Sequence, residues 1–439
     1  MLRRTIARAW WRRYARRNAR PWDDLERFPG LPQENQRREL ALRLLDQLHY
    51  FGNRPDALPE WREAARVQDP EELWRVWPEL PVLTKEDLRN RFPPEEVGQR
   101  FGIAGRVNAT GGSTGEPTRF FHDTGMLTAI EGAEIYSRLR MGWRPGMATI
   151  VVWGAERDIG RHLPFRARVH HWLVRDFLVA GYSLSPKTAL RVRSAVERHR
   201  PAAIYGFSSM LEYVAREILR VGALRPGSVR VAWCGGEMLY AAQRQVFKRA
   251  FGVDILNRYG GRELGVMACQ FVPGGPLEVM RPWVMIELLN SEGRAVAPGE
   301  AGRVVVTSTI CRGSPFLRYD VGDYASADPL ASGHSGIAAL AELHGRTADI
   351  LRLPDGRTIN NIFWNHLFKE FPEVRQFQVL LQKDGGLRIL LVGSGFAAQR
   401  EQQCRATLER FLGAVKFQLH WTEWIPPAPN GKLRQVVVE

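Results

Sequence analysis

The stretch Thr110-Gly-Gly-Ser-Thr-Gly-Glu-Pro-Thr-Arg119 places three glycines and four hydroxyl residues within ten positions. Glycine adds no packing and loses more conformational freedom on ordering than any other residue, so a run of it serves backbone with positive φ or the close approach of a ligand. Two readings are open. One is a flexible turn between periodic segments. The other is a cradle in which backbone N–H groups converge on phosphate oxygens while the hydroxyls of Ser113 and Thr114 donate beside them. The stretch lacks both the lysine of G-x-x-x-x-G-K-[ST] and the spacing of G-x-G-x-x-G after a strand, so it is a candidate nucleotide cradle of another kind.

A cradle needs regular elements to hold it, and the chain reads as α/β, with strands and helices alternating. The runs MATIVVWG (147–154) and VRVAWCGG (229–236) are short, apolar and end in glycine, as buried strands do. Between them Leu211, Val214, Ile218 and Val221 recur at helical spacing and predict a helix ahead of the second strand. GEAGRVVVTST (299–309) begins a β-rich stretch. Beyond about residue 345 the pattern changes: FQVLLQKDGGLRILLVG predicts a hairpin turning at Gly385-Gly386, and a polar amphipathic segment runs from Phe396 to Leu412. These features predict a small α+β domain at the C-terminus. The expected division is a basic helical segment over 1–60, a large domain over 61–345 and a small mobile domain over 346–439.

At 439 residues, with 44% hydrophobic composition and no apolar tract of membrane-spanning length, the chain has material for more than one globular domain. Its four cysteines, Cys234, Cys269, Cys311 and Cys404, lie far apart with no C-x-x-C pair, which points away from a disulfide framework or structural metal and fits a reducing cytoplasm. The formal net charge is +15, and eight arginines fall in the first twenty residues, interleaved with Ile6, Trp10, Trp11 and Tyr14. Three readings of that start are open: a solvated helix packing its aromatics on the body, a peripheral contact with an anionic membrane surface or another anionic partner, and an import presequence.

Four further stretches follow the opening loop in order: CGGE (234–237), YGGRELG (259–265), YDVGD (319–323) with GRTADI (345–350), and NGKLR (430–434). Together with the loop they resemble the adenylate-forming superfamily of acyl-CoA ligases and adenylation domains. The closer resemblance is to the phenylacetate-CoA ligase branch and its relatives in capsular polysaccharide synthesis (CapK-like). It extends from roughly residue 70 to the end. It implies a large multi-layer adenylate-forming α/β domain followed by the small C-terminal α+β domain.

Carried over residue by residue, the resemblance implies that Thr110, Gly111, Gly112, Ser113, Thr114 and Gly115 hold the β- and γ-phosphates of ATP. Gly111 stands where many relatives have serine. Gly235, Gly236 and Glu237 would lie against the adenine, with Tyr259 and Gly260 near that base, and Asp323 and Arg346 would contact the ribose. Glu263 would hold Mg²⁺, for which a carboxylate is a natural hard ligand. Arg262 replaces the commoner threonine, and Ala348 stands at the first of two positions that are often acidic at the domain hinge. Lys432 would reach the α-phosphate and the attacking carboxylate, where an ammonium on a loop stabilises charge gathering at phosphorus.

The reaction implied joins a carboxylic acid to ATP, giving acyl-AMP and pyrophosphate, and then transfers the acyl group to an acceptor. Coenzyme A is the expected acceptor; an amine, hydroxyl or carrier is the alternative. His170 and His171, within RVHHWLVRDFLVAGY (168–182), are read as packed or surface residues. A second alternative, a catalytically inactive basic protein binding nucleic acid, would call for basic and aromatic residues alternating through the body. No nucleic-acid motif is recognised, and none is expected as a partner.

Overall fold

The computed structural model describes residues 19–110, 118–153, 165–179, 185–329, 332–333, 336–346, 351–352, 358–359, 364, 367–368, 370–426 and 434–438. A two-stranded hairpin, β1 (Gly105–Ala109) and β2 (Arg119–Asp123), carries the glycine-rich loop at its tip. Among the described residues the central sheet has eleven strands, and it changes character halfway across. Its first half comprises β3 (Ala148–Val152), β4 (Asp176–Val179), β5 (Ala202–Gly206), β6 (Val229–Gly235) and β7 (Ile255–Gly261), all parallel in the spatial order β4-β3-β5-β6-β7.

Parallel strands need crossover connections, which cover both sheet faces, so their sequences read as continuous apolar runs. That is why ATIVV in β3 and AAIYG in β5 are buried at every position. The crossovers are the helices Phe165–Val174, Pro186–His199, Ser208–Arg220 and Ala241–Phe251. In the third, Leu211, Val214 and Ile218 are at most 1% exposed, each contributing roughly 1.5–3 kcal/mol through burial. Val221 lies just past the helix end and is exposed, because the helical stripe has by then run out.

The second half is antiparallel, running from β7 through β8 (Gly265–Cys269), β9 (Leu277–Val279), β13 (Ala339–Arg346), β12 (Tyr319–Ala327) and β11 (Ala301–Ser308) to β10 (Val284–Leu289) at the edge. The helix Thr124–Arg140 packs on this sheet, capped at its start by the Asp123 carboxylate, which accepts from Met126 N–H. Leu25 of the helix Ala19–Arg27, Phe28 just after it, and Leu40, Leu44 and Leu48 of the helix Gln33–Gly52 join one apolar cluster with Trp283 and Phe316. The N-terminal helices are thereby fastened to the large body, and the Tyr136 hydroxyl adds a 3.0 Å hydrogen bond to Leu25 O.

A separate four-stranded sheet forms near the C-terminus. Strands Val374–Leu381 and Leu387–Gly393 pair antiparallel around Gly385, whose φ of +81° requires glycine at the turn. The helix Ala398–Leu412 buries Cys404, Leu408 and Leu412 against them. All four cysteines are free and buried.

One charged cluster ties the helix Thr124–Arg140 to the sheet. Arg258 on β7 pairs with Glu134 and donates to the Tyr205 hydroxyl, and Arg138 Nε reaches Glu134 at 2.7 Å. Burial opposes the charge on Glu134, but Arg258 and Arg138 outweigh it and hold the carboxyl at about 2. A carboxyl depressed in the folded state gives stability that is complete above the unfolded value near 4.5 and lost as pH falls toward about 2. Arg258→Ala is expected to cost about 3 kcal/mol, the lower end for breaking a buried pair because Arg138 remains. It should also move the acid unfolding transition to higher pH, which urea melts between pH 7 and pH 3 measure directly.

Candidate active site

In an open α/β sheet the ligand crevice lies beyond the carboxyl ends of the strands, where the winding reverses. Here the chain runs from β3 outward to β4 and then back to β5 on the other side of β3, so the reversal falls between β3 and β5. Trp153, Phe207, Gly236 and Glu237 sit just past the ends of β3, β5 and β6. Trp153 stacks on Phe207 at 3.6 Å between ring centroids and on Tyr205 at 5.2 Å. Gly236, with φ +80°, passes so close to this stack that a Cβ would meet Phe207 Cε1 at 2.5 Å. The two glycines of CGGE are therefore steric requirements, since a Cβ on Gly235 would stand 2.8 Å from Arg258 O. The Glu237 carboxylate turns to the start of the helix Ser208–Arg220, accepting from Ser209 N–H at 2.9 Å, Ser209 Oγ at 3.0 Å and Ser208 Oγ at 3.2 Å. Its side chain thus holds the end of β6 to the start of that helix, a contact that the motif alone did not disclose.

YGGRELG forms the connection from β7 to β8. Gly261 pairs with Gly265, leaving Arg262-Glu263-Leu264 as a three-residue turn that ends in Gly265 at φ +69°. A Cβ on Gly260 would lie 2.2 Å from Gly265 O, so close crossing of the two strands excludes any larger residue there. Leu264 plugs into the core, which turns Glu263 to the opposite side, where it is only 9% exposed. The Glu263 carboxylate meets the Tyr319 hydroxyl at 3.5 Å, the outer limit of a hydrogen bond. A buried carboxylate served so weakly is a natural partner for a cation. Among the described residues no three His, Cys, Asp or Glu side chains converge as a metal cage. Magnesium in phosphate chemistry does not need one, because it keeps several waters and takes one or two carboxylates together with phosphate oxygens. Glu263 fits that donor set.

Tyr259, in the same segment, is buried, and its hydroxyl donates to Asp323 Oδ2 at 2.8 Å. Asp323 on β12 stands opposite Arg346 on β13 in the antiparallel register. The structure thus brings Tyr259, Asp323 and the backbone of Arg346 together, although they are spread over more than eighty residues of sequence.

The hairpin beneath the glycine-rich loop closes at its neck: Thr110 N–H donates to Thr118 O and Thr118 N–H to Thr110 Oγ1, both at 2.9 Å. Gly111, Gly112, Ser113, Thr114 and Gly115 lie outside the described residues, as do Lys432 and Ala348. Arg262 Nη1 donates to Ala109 O at 3.2 Å, joining the Glu263 turn to the hairpin. Between them lies a cavity of about 370 Å³ lined by Arg106, Asn108, His122, Ile130, Gly261 and Arg262 among others. Burial pushes the His122 imidazole below its ordinary value, and the Arg106 charge acts in the same direction. His171 Nδ1 stands 3.9 Å from Asp176 Oδ2 at the β4 edge, away from the hairpin and the Glu263 turn. His122 and Tyr319 are the site residues that the motifs did not single out; Tyr319 opens YDVGD, whereas FFHD carries no local signal at all.

Residues 108–312 match the family of AMP-binding enzymes. The phenylacetate-coenzyme A ligase of Escherichia coli (strain K12) is 23% identical over 356 residues, covering 74% of this chain and 75% of its own length. The phenylacetate-coenzyme A ligase of Thermus thermophilus is 23% identical over 318 residues, covering 71% of this chain and 70% of its own. A crystal structure of 2-hydroxyisobutyryl-CoA ligase in the postadenylation state, in complex with 2-HIB-AMP, superposes with a TM-score of 0.68 at 18% identity, over 93% of this chain and 90% of that one. That likeness establishes the shared fold, including both the large sheet and the smaller C-terminal one.

Proposed function

We propose that the chain is an adenylate-forming ligase related to the phenylacetate-CoA ligases, which activates a carboxylic acid with ATP and passes the acyl group to coenzyme A. The observation that carries this reading is the 2.8 Å bond from Tyr259 to Asp323. It sets an aromatic ring and a carboxylate side by side, with the buried Glu263 four residues beyond the ring in the turn that follows β7.

In the first step a carboxylate oxygen of the acid bonds to the α-phosphorus of ATP, and the bond from that phosphorus to the bridging oxygen breaks, releasing pyrophosphate. Asp323 accepts hydrogen bonds from the ribose hydroxyls, with Arg346 beside it. Tyr259 and the backbone at Gly235, Gly236 and Gly260 border the adenine, and the loop Thr110–Gly115 cradles the terminal phosphates. Glu263 would hold Mg²⁺, which when bound supplies positive charge to the phosphate oxygens. Lys432 delivers an ammonium to the α-phosphate. In the second step the thiol sulfur bonds to the acyl carbon, the acyl–oxygen bond to AMP breaks, and the thiol proton leaves to solvent. Pyrophosphate release across a panel of carboxylic acids, with and without coenzyme A, tests this reading.

The arginine-rich start is proposed to hold the protein at anionic membrane surfaces. Among the described residues no helix is long and apolar enough to cross a membrane, so such a contact would be peripheral. Deleting residues 1–18, which precede the described helix Ala19–Arg27, is expected to leave adenylation largely unaffected and to reduce sedimentation with vesicles rich in anionic lipid. Aggregation of the truncated protein would instead make the segment a packed part of the body.

A further inference from the structure

We propose that His122 is a positioning residue for Glu263, tying the turn that carries this carboxylate to the strand that leaves the glycine-rich loop. This rests on the adenylating role just given to Glu263. His122 lies on β2, four residues after the loop returns at Thr118, and is 1% exposed. Its Nε2 stands 2.8 Å from Glu263 O. A carbonyl oxygen can only accept, so Nε2 carries the proton and donates. The bond therefore reaches the central backbone unit of the three-residue turn, where one peptide rotation would swing the carboxylate away from the hairpin.

His122 can act as a strap because its own strand is fixed on the far side. Phe121 N–H donates to Ser314 Oγ at 2.8 Å, and Ser314 N–H returns to Phe121 O at 3.1 Å. Asp123 accepts from Arg312 N–H at 2.6 Å and Gly313 N–H at 3.0 Å, while its other oxygen caps the helix Thr124–Arg140. Phe120 packs on the imidazole at 4.8 Å between ring centroids. Among the described residues Glu263 itself has little to restrain it: its carboxylate meets Tyr319 at 3.5 Å, and Arg262 ties the turn to Ala109 O by a longer bond of 3.2 Å. The distance between a cation on Glu263 and phosphates in the loop is then set through the imidazole. Displacement of a reacting group by about 1 Å costs on the order of 10²-fold in rate, so loss of the strap has room for a large effect.

The test compares three variants. Gln places its amide N–H near the position of Nε2, Asn places it near Nδ1 where Glu263 O is out of reach, and Phe keeps the ring without a donor. Binding of Mn²⁺ to the ATP-loaded protein, followed by electron paramagnetic resonance, gives a readout independent of turnover. His122→Phe and His122→Asn should weaken Mn²⁺ binding and raise the Mg²⁺ half-saturation of pyrophosphate release by about tenfold or more, and His122→Gln should restore both toward wild type. In a Glu263→Gln background the His122→Phe change should have no further effect on Mn²⁺ binding, because the two residues act as one unit. Wild-type Mn²⁺ binding in folded His122→Phe or His122→Asn overturns the proposal, as does a full additional loss in the double variant. Should Phe fail to fold, the contrast between Asn and Gln at equal melting temperature decides. If the adenylating role of Glu263 is itself wrong, Glu263→Gln alone leaves Mn²⁺ binding unchanged, which separates that failure from a failure of the strap.

Discussion

Lys432→Ala is expected to lower acyl-adenylate formation by about 10²–10³-fold, the usual consequence of removing one preorganised electrostatic contact to a transition state. The pentavalent α-phosphorus gathers negative charge that neither ATP nor the free acid carries there, so an ammonium acting at that point affects the rate more than the binding of ATP. ATP affinity should therefore change little. If the C-terminal unit turns between half-reactions, the ammonium has left before the thiol attacks, and the variant should convert externally supplied acyl-AMP and coenzyme A at the original rate. Single-turnover assays of the two half-reactions make the comparison. Equal loss in both would mean that Lys432 stays in place throughout. Ala348 sharpens this test, because the resemblance puts this small apolar side chain at the proposed domain hinge.

Glu263→Gln is expected to lower adenylation by about 10²-fold, with a large rise in the Mg²⁺ needed for half-maximal rate. The substitution keeps shape and removes charge. Since Glu263 is buried and meets only the Tyr319 hydroxyl, at 3.5 Å, among its described side-chain partners, a neutral amide there should be tolerated and the melting temperature should hold or rise. Unchanged Mg²⁺ dependence in a folded variant would take Glu263 out of the chemistry.

The contrast between what was legible and what was not has a physical basis. MATIVVWG and VRVAWCGG were readable as strands because a strand covered on both faces must be apolar throughout, and they form β3 and β6. The alternation around Gly385-Gly386 was readable for the opposite reason, that one face of that hairpin packs on a helix. The resemblance placed the glycines of CGGE and YGGRELG beside the adenine; that the chain's own Phe207 and Gly265 crowd Gly236 and Gly260 was not legible. The Arg258–Glu134 pair was not legible, because its members lie 124 positions apart and only the docking of a helix on the central sheet brings them together. His122 was hidden for a related reason: its partner is a backbone carbonyl, and backbone partners leave no mark on residue type. Glu237 shows the limit of motif reading, since the motif located the residue while its carboxylate caps a helix.

The most direct measurement is the site of ATP cleavage in the presence of carboxylic acids. With Mg²⁺ and a panel of acids, acid-dependent exchange of labelled pyrophosphate into ATP is expected, with AMP as the nucleotide product once coenzyme A is added. Exchange should fall by about 10²-fold or more in Glu263→Gln and Lys432→Ala while both variants still bind ATP. Release of ADP and phosphate, or ATP binding without exchange for any acid in the panel, would contradict adenylation as the chemistry of this site.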